Sequence, residues 1–215
     1  MILQLARPLA FLDFETTGLD VARDRILEAA FVKVMPDGSR IPLVQKVNPG
    51  IEVKKQASKV TGIHTMDACG LFWGPPLKKV GQKLADFLDG CDLAGFNQIS
   101  YDVPLWLAEC ERHGIEFSME GRRQVDVRVL FHAKETGWDR FLMGPRNLTA
   151  AVRHFCGREH GGAHSAEADT LATIDVLTAI LERYPDLPRD VEGLHRFCED
   201  HRIRDEDDAA ARTGR

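Results

Sequence analysis

Hydrophobic positions fall into two periodicities along this chain, and the alternation between them gives the order of elements. Residues 9–12 (Leu-Ala-Phe-Leu) are a continuous apolar run that ends in Asp13-Phe14-Glu15, and the chain breaks at Thr16-Thr17-Gly18. A period of two predicts a strand in which Asp13 and Glu15 share one face and Leu12 and Phe14 the other. Residues 25–35 predict a second strand, Pro36-Asp37-Gly38-Ser39 a turn, and residues 41–47 a third strand, so that at least two of the three form an antiparallel hairpin. Residues 51–75 are irregular, with a short helical stretch near 56–60. Leu77, Val80, Leu84, Phe87 and Leu88 then recur at helical spacing up to Gly90.

Residues 92–96 read as a short buried strand. Val103, Trp106, Leu107 and Cys110 form one stripe of a helix over 102–113, stopped by Gly114, with Pro104 in its first turn, where a missing N–H costs nothing. Another short strand is expected at 124–127 and a helix over roughly 128–136. A further helix runs from Asn147-Leu148-Thr149 through Phe155 to Gly157. After a Gly/His-rich loop at 158–164, a long helix covers 166–184 and ends at Pro185 and Pro188. A short helix at 189–198 precedes a charged segment expected to be a flexible tail. Three strands, helix, strand, helix, strand, then helices describe an α/β fold: a mixed sheet with helices packed on its faces, in a single domain over 1–188, with 189–215 as short helix and tail.

Composition changes this picture little. The 215 residues are 44% hydrophobic, ordinary for a globular chain, and a formal net charge of −5 argues against a protein whose main task is to coat nucleic acid, though not against an enzyme with a local basic patch. Five scattered cysteines without a C-x-x-C pair read as reduced thiols. With no membrane-length apolar run and no signal-peptide layout at the N-terminus, the expected location is cytoplasmic, with no membrane partner.

Three stretches carry candidate chemistry. Two carboxylates on one face of a buried strand repel each other and invite a hard divalent cation, the alternative being a solvated strand end beside arginines. In Gly95-Phe96-Asn97-Gln98-Ile99-Ser100-Tyr101-Asp102 a short strand delivers Phe96 and Asn97 to its end, and Asp102 enters the first turn of a helix, as a site residue or merely as a helix cap. In His164-Ser165-Ala166-Glu167-Ala168-Asp169 a loop histidine precedes an acid one turn inside the long helix; Asp169 faces either the core, where it needs a partner, or solvent.

Together these stretches resemble the DEDD superfamily of 3′–5′ exonucleases, in its DnaQ-like, histidine-containing branch, and in particular its polymerase III ε-type proofreading domains. The D-x-E-T-T-G-L pattern runs from Asp13 to Leu19, G-F-N-x-x-x-[YF]-D from Gly95 to Asp102, and H-x-A-x-x-D from His164 to Asp169. The likeness spans roughly residues 8–183. Thr61-Gly62-Ile63 and the Asp126 segment fall where the family has related elements, although many relatives have His at the Thr61 position.

The resemblance implies a ribonuclease H-like fold with the first strand central. It implies that Asp13, Glu15, Asp102 and Asp169 bind two divalent ions, usually Mg²⁺, with Mn²⁺ a substitute, and that His164 deprotonates a water. Oxygen-only ligands agree with that choice of metal, and an ordinary histidine pKa of about 6.5 suits a base at neutral pH. Thr16, Thr17 and Gly18 are expected to hold the last nucleotide through backbone and hydroxyl groups, with Leu19, Ile63, Phe96 and Asn97 also at the substrate; for Phe96, plain core packing is the alternative. Lys54, Lys55, Lys59, Arg122, Arg123 and Arg146 are strand-binding candidates or ordinary surface charges.

The expected function is a metal-dependent 3′–5′ exonuclease releasing nucleoside 5′-monophosphates from a free, single-stranded 3′ end. DNA proofreading or repair, with a DNA polymerase as partner, is the first choice. RNA 3′-end trimming or oligoribonuclease activity is the second, and a non-catalytic nucleic-acid-binding or polymerase-scaffold module is the reading from another class.

Overall fold

A computed structural model describes residues 3–70, 73–163 and 165–202. The strands are β1 (Leu9–Thr16), β2 (Ile26–Val34), β3 (Arg40–Lys46), β4 (Asp92–Gly95) and β5 (Gln124–Asp126). The helices are α1 (Lys55–Thr61), α2 (Thr65–Ala68), α3 (Leu77–Phe87), α4 (Asp102–His113), α5 (Val127–Lys134), α6 (Arg140–Met143), α7 (Leu148–Ala151), α8 (Ala166–Arg183) and α9 (Val191–Asp200). The strands make one mixed sheet in the order β3-β2-β1-β4-β5. β1 pairs antiparallel with β2 and parallel with β4, so the central strand lies where the sheet changes direction. In open α/β sheets ligands collect at the carboxyl ends of strands at such a point.

The two faces of β1 follow the period of two. Leu9 and Phe11 join one core with α5, α7, α8 and α9, through Phe131, Ala151, Ile174, Leu177, Leu194 and others. Ala10, Leu12 and Phe14 join the opposite core with Leu84 and Leu88 and with Val103 and Trp106 of α4. Helices therefore cover both faces, as in the ribonuclease H-like fold. The same alternation carries Asp13 and Glu15 onto the α8 side, beyond the last β4 partner, since the β1–β4 register runs only from Leu9↔Asp92 to Phe11↔Ala94.

Between Glu15 and Thr16 the β1–β2 register slips: Glu15 faces Glu28, but Thr16 faces Ile26. The extra residue, Leu27, turns into a small third cluster with Val53 and Ala68 under the α1–α2 lobe. Such a bulge re-aims side chains at a sheet's end.

The sequence reading omits α2 and α6, both four residues long and too short to show a period. The helix expected from 147 through 155 is α7 followed by a π-helical turn, Val152–Cys156, closed by Gly157 at φ 65°. α9 buries Val191, Leu194 and Cys198 in the α8-side core and so packs with the domain. The final stretch, 203–215, lies outside the described residues. All five cysteines are free. Among the described residues no helix is long and apolar enough to cross a membrane.

Candidate active site

The site is assembled from β1, the start of α4 and the start of α8. β1 presents Asp13 and Glu15 on one face, and the first turn of α8 brings Asp169 over that face. One ligand oxygen from each of Asp13, Glu15 and Asp169 lies within 4.8 Å of the others. An oxygen-only set at that spacing fits a hard divalent cation of the magnesium or manganese type.

Asp102 comes from another direction. It does not cap α4: Tyr101 stands at the cap position without a side-chain cap bond, while Asp102 Oδ1 accepts the N–H of Phe14 at 3.2 Å. That bond ties α4 to β1 between the two β1 acids. Asp102 is outside the three-acid group but close enough for its charge to act on Asp13.

The electrostatics follow from burial. Burial, then the charges of Asp102, Asp169, Glu15 and Glu28, hold Asp13 well above the usual carboxylate range. Burial, followed by Asp169 and Glu28, pushes Glu15 up to about 7. Burial also raises Asp102 to about 7, with Asp126 and Glu15 adding to it and the Phe14 N–H opposing it. Several acids desolvated together favour protons or a cation. Glu28, which faces Glu15 directly across the β1–β2 ladder and is buried, is a site residue that sequence reasoning missed. Its signal was an acid set among apolar residues in the first half of β2.

The turn after β1 is braced from within. The hydroxyls of Thr16 and Tyr101 both reach the Gly18 carbonyl, at 2.8 and 2.6 Å. Thr17 is fully buried, and its hydroxyl donates to Asp24 Oδ1 at 2.9 Å. Asp24 also accepts the Asp20 N–H and Lys54 Nζ. A Cβ at Gly18 would stand 2.6 Å from Asp24 Oδ2 and from Lys54 Cδ, so any side chain there would force the Asp24–Lys54 pair to shift. Leu19, at the tip, is 69% exposed.

Phe96 is half-buried against the α8-side core. Asn97 adopts φ 71°, its N–H donates to Asp126 Oδ1, and its side-chain oxygen accepts from Arg128. Asp126 further accepts the N–H groups of Ile99 and Arg128, so one buried carboxylate shapes the loop that leads to Asp102. Ile63 packs beside Leu27, Val53 and Ala68, in the lobe next to the Gly18 turn. Of the basic candidates, Lys54 is bonded to Asp24, Arg122 to the Cys91 carbonyl and Arg123 to Glu192. These three therefore act in the fold. His164 lies outside the described residues.

A carboxylate cluster able to hold a divalent ion thus stands at the end of the central strand of a ribonuclease H-like sheet. Residues 10–177 match the RNase T exonuclease family, and the chain belongs to it. This agrees with the resemblance carried by the three motifs. No curated protein matches the sequence. Among solved structures, the zinc-bound complex of E. coli exonuclease I with single-stranded DNA is similar at 21% identity and TM-score 0.75, covering 91% of this chain and 43% of that one. The same enzyme with a dT13 oligonucleotide gives 20%, 0.71, 84% and 42%. A moderately thermophilic exonuclease I from Methylocaldum szegediense gives 23%, 0.72, 97% and 46%. The chain thus spans under half the length of these exonuclease I chains.

Proposed function

We propose that this chain is a metal-dependent 3′–5′ exonuclease that releases nucleoside 5′-monophosphates from single-stranded DNA. The observation that carries the proposal is the Asp13–Glu15–Asp169 cluster, with Asp102 beside it, in a member of an exonuclease family. The choice of DNA is supported by the deoxyoligonucleotides in the E. coli exonuclease I complexes.

In this reading Asp13, Glu15, Asp102 and Asp169 hold two Mg²⁺ ions, for which Mn²⁺ substitutes. When bound, such ions supply charge stabilisation to a phosphodiester under attack. The chain's own groups do the rest. In this reading the main chain of the braced turn at Gly18 and the exposed side chain of Leu19, which follow Glu15 closely in the chain, meet the terminal nucleotide. His164, five residues before Asp169, takes the proton of the attacking water. The water oxygen forms a new bond to the terminal phosphorus, the bond from phosphorus to the 3′ oxygen of the preceding nucleotide breaks, and a 5′-monophosphate leaves.

The test is a labelled single strand of DNA, and one of RNA, incubated with Mg²⁺ and then with EDTA. Stepwise shortening of DNA from the 3′ end that stops in EDTA is expected. Cleavage that survives EDTA, or none on either strand, would contradict the proposal. Preference for the RNA strand would move the substrate to RNA while leaving the chemistry intact. His164→Ala should lower turnover by about two to four orders of magnitude, the usual range for a general base, with Mn²⁺ affinity retained.

A further inference from the structure

His160 lies four residues before His164, in the loop between α7 and α8. Gly157 ends the preceding helical segment at φ 65° and Gly162 takes φ 75°, and a Cβ at Gly162 would stand 3.3 Å from that of Ala168, so the loop lies against the first turn of α8. That path drives the His160 ring inward: its side chain is 2% exposed, against 15% for Asp169. Nε2 stands 3.1 Å from Asp169 Oδ1, and Nδ1 stands 3.4 Å from the Thr149 hydroxyl on α7. Nε2 is fully buried and makes no in-line hydrogen bond. The Asp169 contact is therefore at ion-pair distance but off the N–H direction.

We propose that His160 is a positioning residue for Asp169, gripping its carboxylate through Nε2 while Thr149 anchors the ring through Nδ1. The inference rests on the reading of Asp169 as a metal-binding acid. An aspartate in a helix's first turn has freedom about two torsions, whereas a metal ligand must be held to about half an ångström. A buried imidazole that donates to one oxygen removes much of that freedom. Donation from Nε2 leaves Nδ1 as acceptor for the Thr149 O–H, so both ring nitrogens are used in one tautomer. A buried ring nitrogen with no such role would carry an uncompensated desolvation penalty. The chain of contacts Thr149–His160–Asp169 also links α7 to the catalytic edge of α8, so the loop's shape is transmitted to the acid.

Two polar variants separate the two contacts. In His160→Gln the amide nitrogen reaches about as far as Nε2 and keeps the grip on Asp169. In His160→Asn it reaches only as far as Nδ1 and keeps Thr149 alone. Mn²⁺ affinity is measured by calorimetry without nucleic acid, with thermal melts as a folding control. His160→Asn should bind Mn²⁺ about tenfold or more weakly and His160→Gln within about threefold of wild type, the scale on which partners of metal ligands act. With a DNA strand, His160→Asn should lower kcat and leave KM near wild type. Thr149→Val is a third variant that leaves the histidine in place; it should also weaken Mn²⁺, by less than His160→Asn.

Wild-type affinity in His160→Asn, with wild type itself binding Mn²⁺, would overturn the His160 assignment alone. So would equal weakening in both histidine variants, which would mean that the ring only fills space. A wild-type protein that binds no Mn²⁺ would overturn this inference together with the metal reading of the site.

Discussion

Glu15→Gln separates the two roles of a buried acid, because it should stabilise the ion-free fold and disable the site. Glu15 is 7% exposed and is pushed from its ordinary 4.5 up to about 7 by burial and by Asp169 and Glu28. A folded-state pKa above the unfolded one contributes stability that is fully present below the unfolded value, near 4.5, and lost as pH rises through about 7. At roughly 1.4 kcal/mol per tenfold change in proton affinity, holding Glu15 ionised in the fold at pH 8 costs on the order of 3 kcal/mol. Glutamine has nearly the same shape and no charge. In EDTA at pH 8 the variant should melt roughly 6–12 °C above wild type, using the usual 2–4 °C per kcal/mol for a chain of this size. The gap should close near pH 4.5. Mn²⁺ at a thousand times its Kd should reverse the order, since an ion that binds only the folded state then stabilises by about 4.1 kcal/mol, and the variant loses most of that. A melting scan over pH with and without Mn²⁺ measures all three. A variant less stable than wild type in EDTA at pH 8, or a gap independent of pH, would refute the electrostatic account of the cluster.

Divalent-ion affinity should itself depend on pH, because protons compete with the ion at Glu15 and Asp102, both raised to about 7; calorimetry should show binding weakened roughly ten- to a hundredfold between pH 8 and pH 6, with protons released on binding. Asp126→Ala removes the acceptor of three backbone N–H groups, those of Asn97 and Ile99 in the loop leading to Asp102 and that of Arg128 at the start of α5; denaturant titration should show a loss of about 3 kcal/mol or more, at about 1–3 kcal/mol for each buried donor left unpaired. Gly18→Ala drives a Cβ to 2.6 Å from Asp24 and Lys54; turnover assays should show a fall in kcat/KM as the turn shifts, larger than any change in Mn²⁺ affinity.

Legibility in the sequence followed the physics of each element. α3 shows a clean period because it buries one face, whereas β1 is buried on both and reads as a continuous apolar run; the two-residue repeat of any strand then places Asp13 and Glu15 on a common side. The short helices α2 and α6 have one turn each, too little for a period to register. Glu28 and His160 were missed for a different reason: neither lies in a motif, and each becomes a site neighbour only through tertiary structure, Glu28 by the antiparallel register with β1 and His160 by a glycine-rich loop lying against α8. Asp102 was open to a capping role because aspartate before a helical stripe usually caps; its bond to the Phe14 N–H depends on a contact between residues 88 apart in sequence. Thr17 stood beside the acids in the sequence, but its hydroxyl is turned inward to Asp24, a partner that only the fold supplies.

The central claim is that Asp13, Glu15 and Asp169 form the divalent-ion site on which strand cleavage depends. It is tested most directly by counting Mn²⁺ bound per chain, in wild type and Asp13→Asn, while cleavage of a 3′-labelled DNA strand is followed in the same titration. Cleavage that rises with ion occupancy in wild type, and loss of both tight binding and cleavage in Asp13→Asn, is the expected result. Cleavage by the ion-free protein, or Mn²⁺ bound by Asp13→Asn as tightly as by wild type, would contradict it.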